Sequence, residues 1–119
     1  MARAIEKPAI SDSSVRAQAK HRLRSALLLA TARRLPESSL DARQGRWNTW
    51  EPAGWLGADL TGATLGIVGM GKIGAAVAQR AAAFGVRLVY TNRSPKPEIE
   101  RQLGALRLPL DELLRQSDI

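Results

Sequence analysis

Gly69-Met70-Gly71-Lys72-Ile73-Gly74 narrows the folds open to this chain more than any other segment, because of what stands on either side of it. Before it, Thr64 to Val68 is a short apolar run suited to a buried parallel strand, with Gly66 leaving room for a close neighbour. After it, Ile73, Val77, Ala81 and Phe84 recur at helical steps, and Gly85 sits where a left-handed C-terminal cap belongs. Val86 to Tyr90 then reads as a second strand. Strand, tight turn, helix and strand in that order make one right-handed βαβ unit.

The turn has the composition of an anion cradle. A helix N-terminus offers amides without intrahelical partners together with the positive end of the helix dipole. Gly69 permits the tight turn, Gly71 admits a ligand close to the backbone, and Gly74 lets the helix lie against the strand. The expected ligand is the pyrophosphate of a dinucleotide, with Lys72 and Ile73 as the principal amide donors and Met70 within the binding turn. A lone motif of this spacing is weak evidence, and its strand-turn-helix context is what makes it specific. The fold class that follows is α/β, a partial Rossmann fold comprising the first half of a doubly wound parallel sheet.

The end of the second strand bears on which dinucleotide binds. An acid about 20 residues beyond the glycines commonly takes the ribose 2′-hydroxyl of NAD, whereas a 2′-phosphate needs cations and hydroxyls there. This chain has Thr91-Asn92-Arg93-Ser94 and then Lys96, with no acid before Glu98. Arg93 is expected to hold a 2′-phosphate, with Asn92 and Ser94 donating hydrogen bonds. The expected cofactor is NADP(H), with NAD(H) as the alternative; a solvated turn with incidental charges is the plainer reading of the same residues.

Further along, Ile99 and Leu103 suggest a short helix ending at Gly104, Ala105 to Leu108 a weak strand, and Asp111 to Gln116 another short helix. Ser117-Asp118-Ile119 reads as the lip of a further strand, leaving one side of the first strand open. Such a chain is expected to be marginally stable or to self-associate.

Ahead of the βαβ unit the signals are looser. Residues 1–12 read as a mobile tail, and Asp12, Ser13 or Ser14 could cap a following helix. Val15, Ala19, Leu23, Ala26, Leu27 and Ala30 fall on one helical face, Pro36 ends the run, and Ser25 to Leu35 is expected to be well buried behind a frayed, basic first half. From Glu37 to Thr61 the period disappears, and glycines gather around Trp47, Trp50 and Trp55. Three tryptophans in a polar stretch indicate an arm that packs on its own domain or on a second subunit.

The net charge of +7 raises nucleic acid as a partner, so its distribution matters. Residues 1–36 hold eight Lys or Arg against two acids, whereas residues 37–119 hold ten against nine. The basicity thus belongs to the lead-in and not to the glycine turn. A basic helix from Arg16 to Arg24 has neither a paired recognition helix nor stacking aromatics, so a nucleic-acid module ranks below dinucleotide binding. No cysteine is present, which removes disulfides, thiolate nucleophiles and cysteine-based metal sites. No apolar run approaches the roughly 18 residues of a membrane span, and the N-terminus has no secretory apolar core. The expectation is a cytoplasmic protein without membrane or metal partners. The single histidine, His21, has no acid at helical spacing and reads as a surface residue, so no catalytic residue is assigned.

Several ordered blocks carry a resemblance to a known family. Ala26 through Arg34, Gly45-Arg46-Trp47, Asp59-Leu60-Thr61-Gly62, Thr64 through Gly74, Phe84-Gly85, Leu110 through Leu114 and Ser117-Asp118 resemble the D-2-hydroxyacid dehydrogenases. Trp47 through Pro52 and Tyr90-Thr91-Asn92-Arg93 are most similar to the glyoxylate/hydroxypyruvate reductase branch. The resemblance spans about Ser25 to Ile119 and implies NADPH-dependent, D-stereospecific reduction of glyoxylate or hydroxypyruvate. It also implies a homodimer to which residues 25–61 contribute, with residues 62–119 as an incomplete dinucleotide-binding domain and 1–24 outside the match. The family's substrate domain and its catalytic Arg, Glu and His have no counterpart in this sequence. The resemblance therefore implies a truncated product or excised fragment that binds dinucleotide without turning over alone. A non-catalytic oligomerisation partner is the alternative.

Overall fold

The computed structural model describes residues 13–119, with the Ser14 side chain left aside. The expected tail and an Asp12 cap lie outside the described residues. The elements are α1 (Ser13–Ala32), α2 (Leu35–Arg43), β1 (Thr64–Val68), α3 (Lys72–Ala82), β2 (Arg87–Thr91), α4 (Pro97–Leu103), β3 (Leu106–Arg107) and α5 (Leu110–Gln116). The three strands form one parallel sheet in the order β1-β2-β3, with Thr64 opposite Arg87, Val68 opposite Thr91 and Tyr90 opposite Arg107. This is half of a doubly wound α/β arrangement.

Beyond the far edge of β1 the chain returns to begin another pairing. The amides of Asp118 and Gly66 donate to the carbonyls of Thr64 and Ile119, each at 2.9 Å. The Asp118 carboxylate also accepts from the Thr64 amide at 2.8 Å. These bonds partly cover the outer edge of β1 at its first half, and β1 stays an edge strand of the three-stranded sheet. The Ser117 hydroxyl and the Leu113 side chain lie against Gly66, and Leu113 joins Val89 and Leu108 in a buried cluster on that side of the sheet.

The principal core is Leu65, Ile67, Met70, Ala78, Ala81, Leu88, Tyr90 and Ala105, with Leu28, Ile99 and Leu103 packed around it. Most of the expected elements from Thr64 onward are present within a residue or two. The second strand runs one residue later than expected, and of the expected helix face Ala81 is buried, with Ala78 beside it, whereas Phe84 is exposed because α3 ends at Ala82.

The N-terminal region departs further from expectation. The first helix is continuous over 20 residues from Ser13 and stops at Ala32. Arg34 takes a left-handed conformation, φ 52°, and Pro36 occupies the first turn of α2 instead of ending a helix. Proline suits that position because its missing N–H would have no partner in a first turn. The expected apolar stripe faces outward: Val15, Leu23 and Leu27 are exposed, and Leu35 is too. The face turned inward carries Ala17, His21, Ser25, Leu28 and Ala32. Small side chains on that face let α1 approach α3, and periodicity alone does not reveal which of two stripes a neighbour covers.

His21 is thereby a correction as well. It is only 5% exposed, and its Nδ1 finds no hydrogen-bond partner among the described residues. Burial, then the nearby charges of Arg80 and Arg22, push its pKa below the ordinary 6.5.

The tryptophan arm makes little contact with its own domain. Trp55 is half-buried under the Arg34 guanidinium, 4.7 Å from its ring centre, whereas Trp50 is 83% exposed and Trp47 is exposed as well. The Ala58 amide donates to the Ala32 carbonyl at 2.7 Å and anchors the arm's return. The radius of gyration is 17.5 Å, against about 13 Å for a compact chain of this length.

Candidate dinucleotide site

The two features singled out in the sequence meet at the carboxyl ends of the parallel strands. The Gly69 amide donates to the Thr91 carbonyl at 2.9 Å, so the glycine turn leaves β1 beside the turn that leaves β2. Ligands of open α/β sheets bind at this end of the strands.

The glycines serve separate geometric needs. Gly69 has φ 96°, in the region that side chains disfavour. At Gly74 a Cβ would run into the Gly69 carbonyl oxygen, so the helix can seat on the turn only without a side chain there. Around Gly71 there is open space, with no atom within 4 Å of where a Cβ would stand.

The first bond of α3 runs from the Ala75 amide to the Gly71 carbonyl at 2.9 Å, and no side chain caps the helix. The amides of Lys72, Ile73 and Gly74 therefore have no intrahelical partner. Lys72 is exposed at the same place. Unpaired amides, an open approach and the positive end of α3 fit a diphosphate. Met70 is different: its side chain is buried in the core, so only its backbone is available to a ligand.

The β2 turn is held by its neighbours. Asn92 Nδ2 donates to the Ser94 carbonyl at 3.0 Å, so this amide shapes the turn, and its expected part in holding a phosphate is reduced to its remaining N–H. Arg93 and Ser94 are exposed, and among the described residues the Arg93 guanidinium has no acceptor. The Tyr90 hydroxyl accepts from the Lys96 amide at 2.7 Å and donates to Glu100 Oε1 at 2.5 Å. Burial, and then that bond to Glu100, raise the Tyr90 pKa.

Sequence reasoning missed Arg107. Its guanidinium donates from Nη2 to the carbonyls of Asn92, 2.9 Å, and Arg93, 3.1 Å. The only available signal was the odd presence of an arginine within a weak apolar strand.

A cleft of about 360 Å³ is lined in part by Val68, Gly69, Ile73 and Gly74, and another of about 320 Å³ by Thr91, Arg107, Leu108 and Pro109. Another cleft, about 590 Å³, opens in the arm between Arg33, Asp41, Arg46, Trp47 and Trp55 and shares no lining residue with either turn. No cluster of metal-ligating side chains occurs among the described residues, and none of their helices is long and apolar enough to cross a membrane.

Comparison with known proteins gives the site its family. The sequence pattern described as "D-isomer specific 2-hydroxyacid dehydrogenase, NAD binding domain" matches residues 25–119. The glyoxylate reductase of Thermococcus onnurineus is 53% identical, over 77% of this chain and 29% of its own length. The TT0316 protein of Thermus thermophilus superposes with a TM-score of 0.80 at 51% identity, over 89% of this chain and 32% of that one. A glyoxylate reductase from Paecilomyes thermophila gives 0.66 at 40% identity, over 86% and 29%. The chain thus spans about a third or less of the relatives it matches. This chain belongs to the D-isomer specific 2-hydroxyacid dehydrogenases, whose NAD-binding domain its residues 25–119 match.

Proposed function

We propose that this chain binds NADP(H) in preference to NAD(H), as the cofactor-binding part of an enzyme that reduces glyoxylate or hydroxypyruvate. The observation that carries the reading is the pairing of two turns: unpaired amides at Lys72 to Gly74 beside an acid-free turn with an exposed Arg93. The first supplies donors for the diphosphate, and the second supplies a cation for a 2′-phosphate. Gly69 and Gly71 keep the approach clear, Gly74 lets α3 seat on the turn, and the Met70 backbone completes it. The Ser94 hydroxyl and the free N–H of Asn92 add donors at the ribose end. When bound, the nicotinamide carries the hydride and the residues of this chain orient it; no proton donor is assigned among them, His21 being buried on α1.

The glyoxylate reductases among the relatives support the substrate class. The division into 1–24, 25–61 and 62–119 follows the same reading, with the exposed side chains of Leu27, Leu35, Trp47 and Trp50 forming the surface of a homodimer. A cytoplasmic location accords with a cysteine-free chain.

Calorimetric titration with NADPH and NADH tests the preference. Binding of NADPH about tenfold tighter or more supports it, and equal or tighter binding of NADH overturns it.

A further inference from the structure

We infer that Arg107, on β3, is a second determinant of dinucleotide selectivity, acting on the turn that carries Arg93. This rests on the reading that the turn takes a 2′-phosphate. Parallel pairing sets Arg107 opposite Tyr90, and the Leu108 amide donates to the Tyr90 carbonyl at 2.8 Å, which fixes the base of the side chain. From there Nε and Nη2 reach the Asn92 carbonyl at 3.3 and 2.9 Å, and Nη2 also reaches the Arg93 carbonyl at 3.1 Å. Among the described residues no carboxylate lies within ion-pair distance of Arg107, and Nη1 has no hydrogen-bond partner there.

Two consequences follow for an anion arriving at this turn. Carbonyl oxygens repel a phosphate, and the guanidinium turns a pair of them into the acceptors of its own N–H groups. Its charge then stands beside the exposed Arg93 with one nitrogen still able to donate. The Arg107 side chain also lines the cleft between the ends of β2 and β3, with Thr91, Leu108 and Pro109. The opposite end of the turn is fixed independently, by the Tyr90 hydroxyl on the Lys96 amide. Arg107 thus acts on the end of the turn that holds Asn92 and Arg93. A ligand without a 2′-phosphate gains little from this charge, so the effect belongs to selectivity.

Adenosine 2′,5′-bisphosphate and adenosine 5′-monophosphate probe the inference on the full chain by titration, with circular dichroism as the check on folding. The expected result for Arg107→Met is a roughly ten- to hundredfold loss of affinity for the bisphosphate, with the monophosphate changed less than about twofold. Arg107→Lys keeps the charge but loses the fork, and should fall between wild type and Arg107→Met. Equal losses for both probes would reduce Arg107 to a structural brace and overturn the inference, as would no loss for either. If Arg93→Met abolishes the preference while Arg107→Met leaves it intact, the NADP(H) reading stands and this inference fails alone. If the wild-type chain binds neither probe or does not distinguish them, both fail.

Discussion

The two halves of the chain keep their apolar side chains in opposite places. From Thr64 to Ile119 the sheet, α3 and α5 bury Leu65, Met70, Ala78, Tyr90 and Leu113 almost completely, and a ladder of backbone bonds fixes every strand. From Ser13 to Thr61 two helices and an arm leave Leu23, Leu27, Leu40, Trp47 and Trp50 in solvent. One half has its partners within the chain; the other leaves large apolar side chains exposed, the surface proposed above to meet a second copy. Substitutions in the first should therefore damage folding and ligand binding together, whereas those in the second should act on association.

The largest effect is expected at Gly74. A side chain there meets the Gly69 carbonyl, so Gly74→Val must push α3 off the turn. Dinucleotide affinity should fall at least a hundredfold, with about 2–4 kcal/mol of stability lost; titration calorimetry and urea unfolding would show it. Next is Tyr90→Phe. It leaves the Lys96 amide and Glu100 without the buried hydroxyl they share and should cost about 1–3 kcal/mol. The same change loosens the β2 turn, so a NADPH preference should weaken while the secondary structure stays intact.

His21 gives a pH-dependent contrast between the halves. Its pKa is lower folded than unfolded, so the unfolded chain binds the proton first as pH falls. Stability should be steady above the ordinary value of 6.5 and should decline below it, through the window down to the depressed folded value. Melting curves between pH 7.5 and 5.5 would show a falling midpoint, and His21→Gln should flatten the dependence. An unchanged slope in that variant would place the acid sensitivity elsewhere.

The smallest effect on folding is expected at Trp50. Exposed as it is, Trp50→Ser should change stability by no more than about 0.5 kcal/mol. Sedimentation velocity should nevertheless show weaker self-association. A large loss of stability with unchanged sedimentation would sink the contrast between a closed half and an open one.

The same contrast explains what could be read in the sequence. The elements from Thr64 onward were legible because each local signal agrees with its tertiary neighbour: the apolar run is inside, the glycines stand where backbone must approach backbone, and Gly104 ends α4 in a left-handed conformation. The inward face of the N-terminal helix is not legible from its periodicity, because its large apolar residues do not face its own core. A stripe at positions 15, 19, 23 and 27 looks inward only if its partner is assumed to be local. The second helix was missed because Pro36 is both a stop and a start signal, and Arg34, in a left-handed conformation, let the chain take the second option. In the proposed site, the glycine turn and Arg93 stand out in the sequence. Arg107 does not, since its role depends on the pairing of β2 with β3, a contact across 15 residues that carries no local pattern.

The central claim is that the backbone at the start of α3 receives the diphosphate. Amide resonances followed by ¹⁵N–¹H correlation spectroscopy during NADPH addition test it directly. Saturable shifts largest at Gly71, Lys72, Ile73 and Gly74, accompanied by Arg93 and Ser94, are the result this account predicts. Shifts confined to the tryptophan arm, or a glycine turn that stays silent while the nucleotide binds, would contradict it.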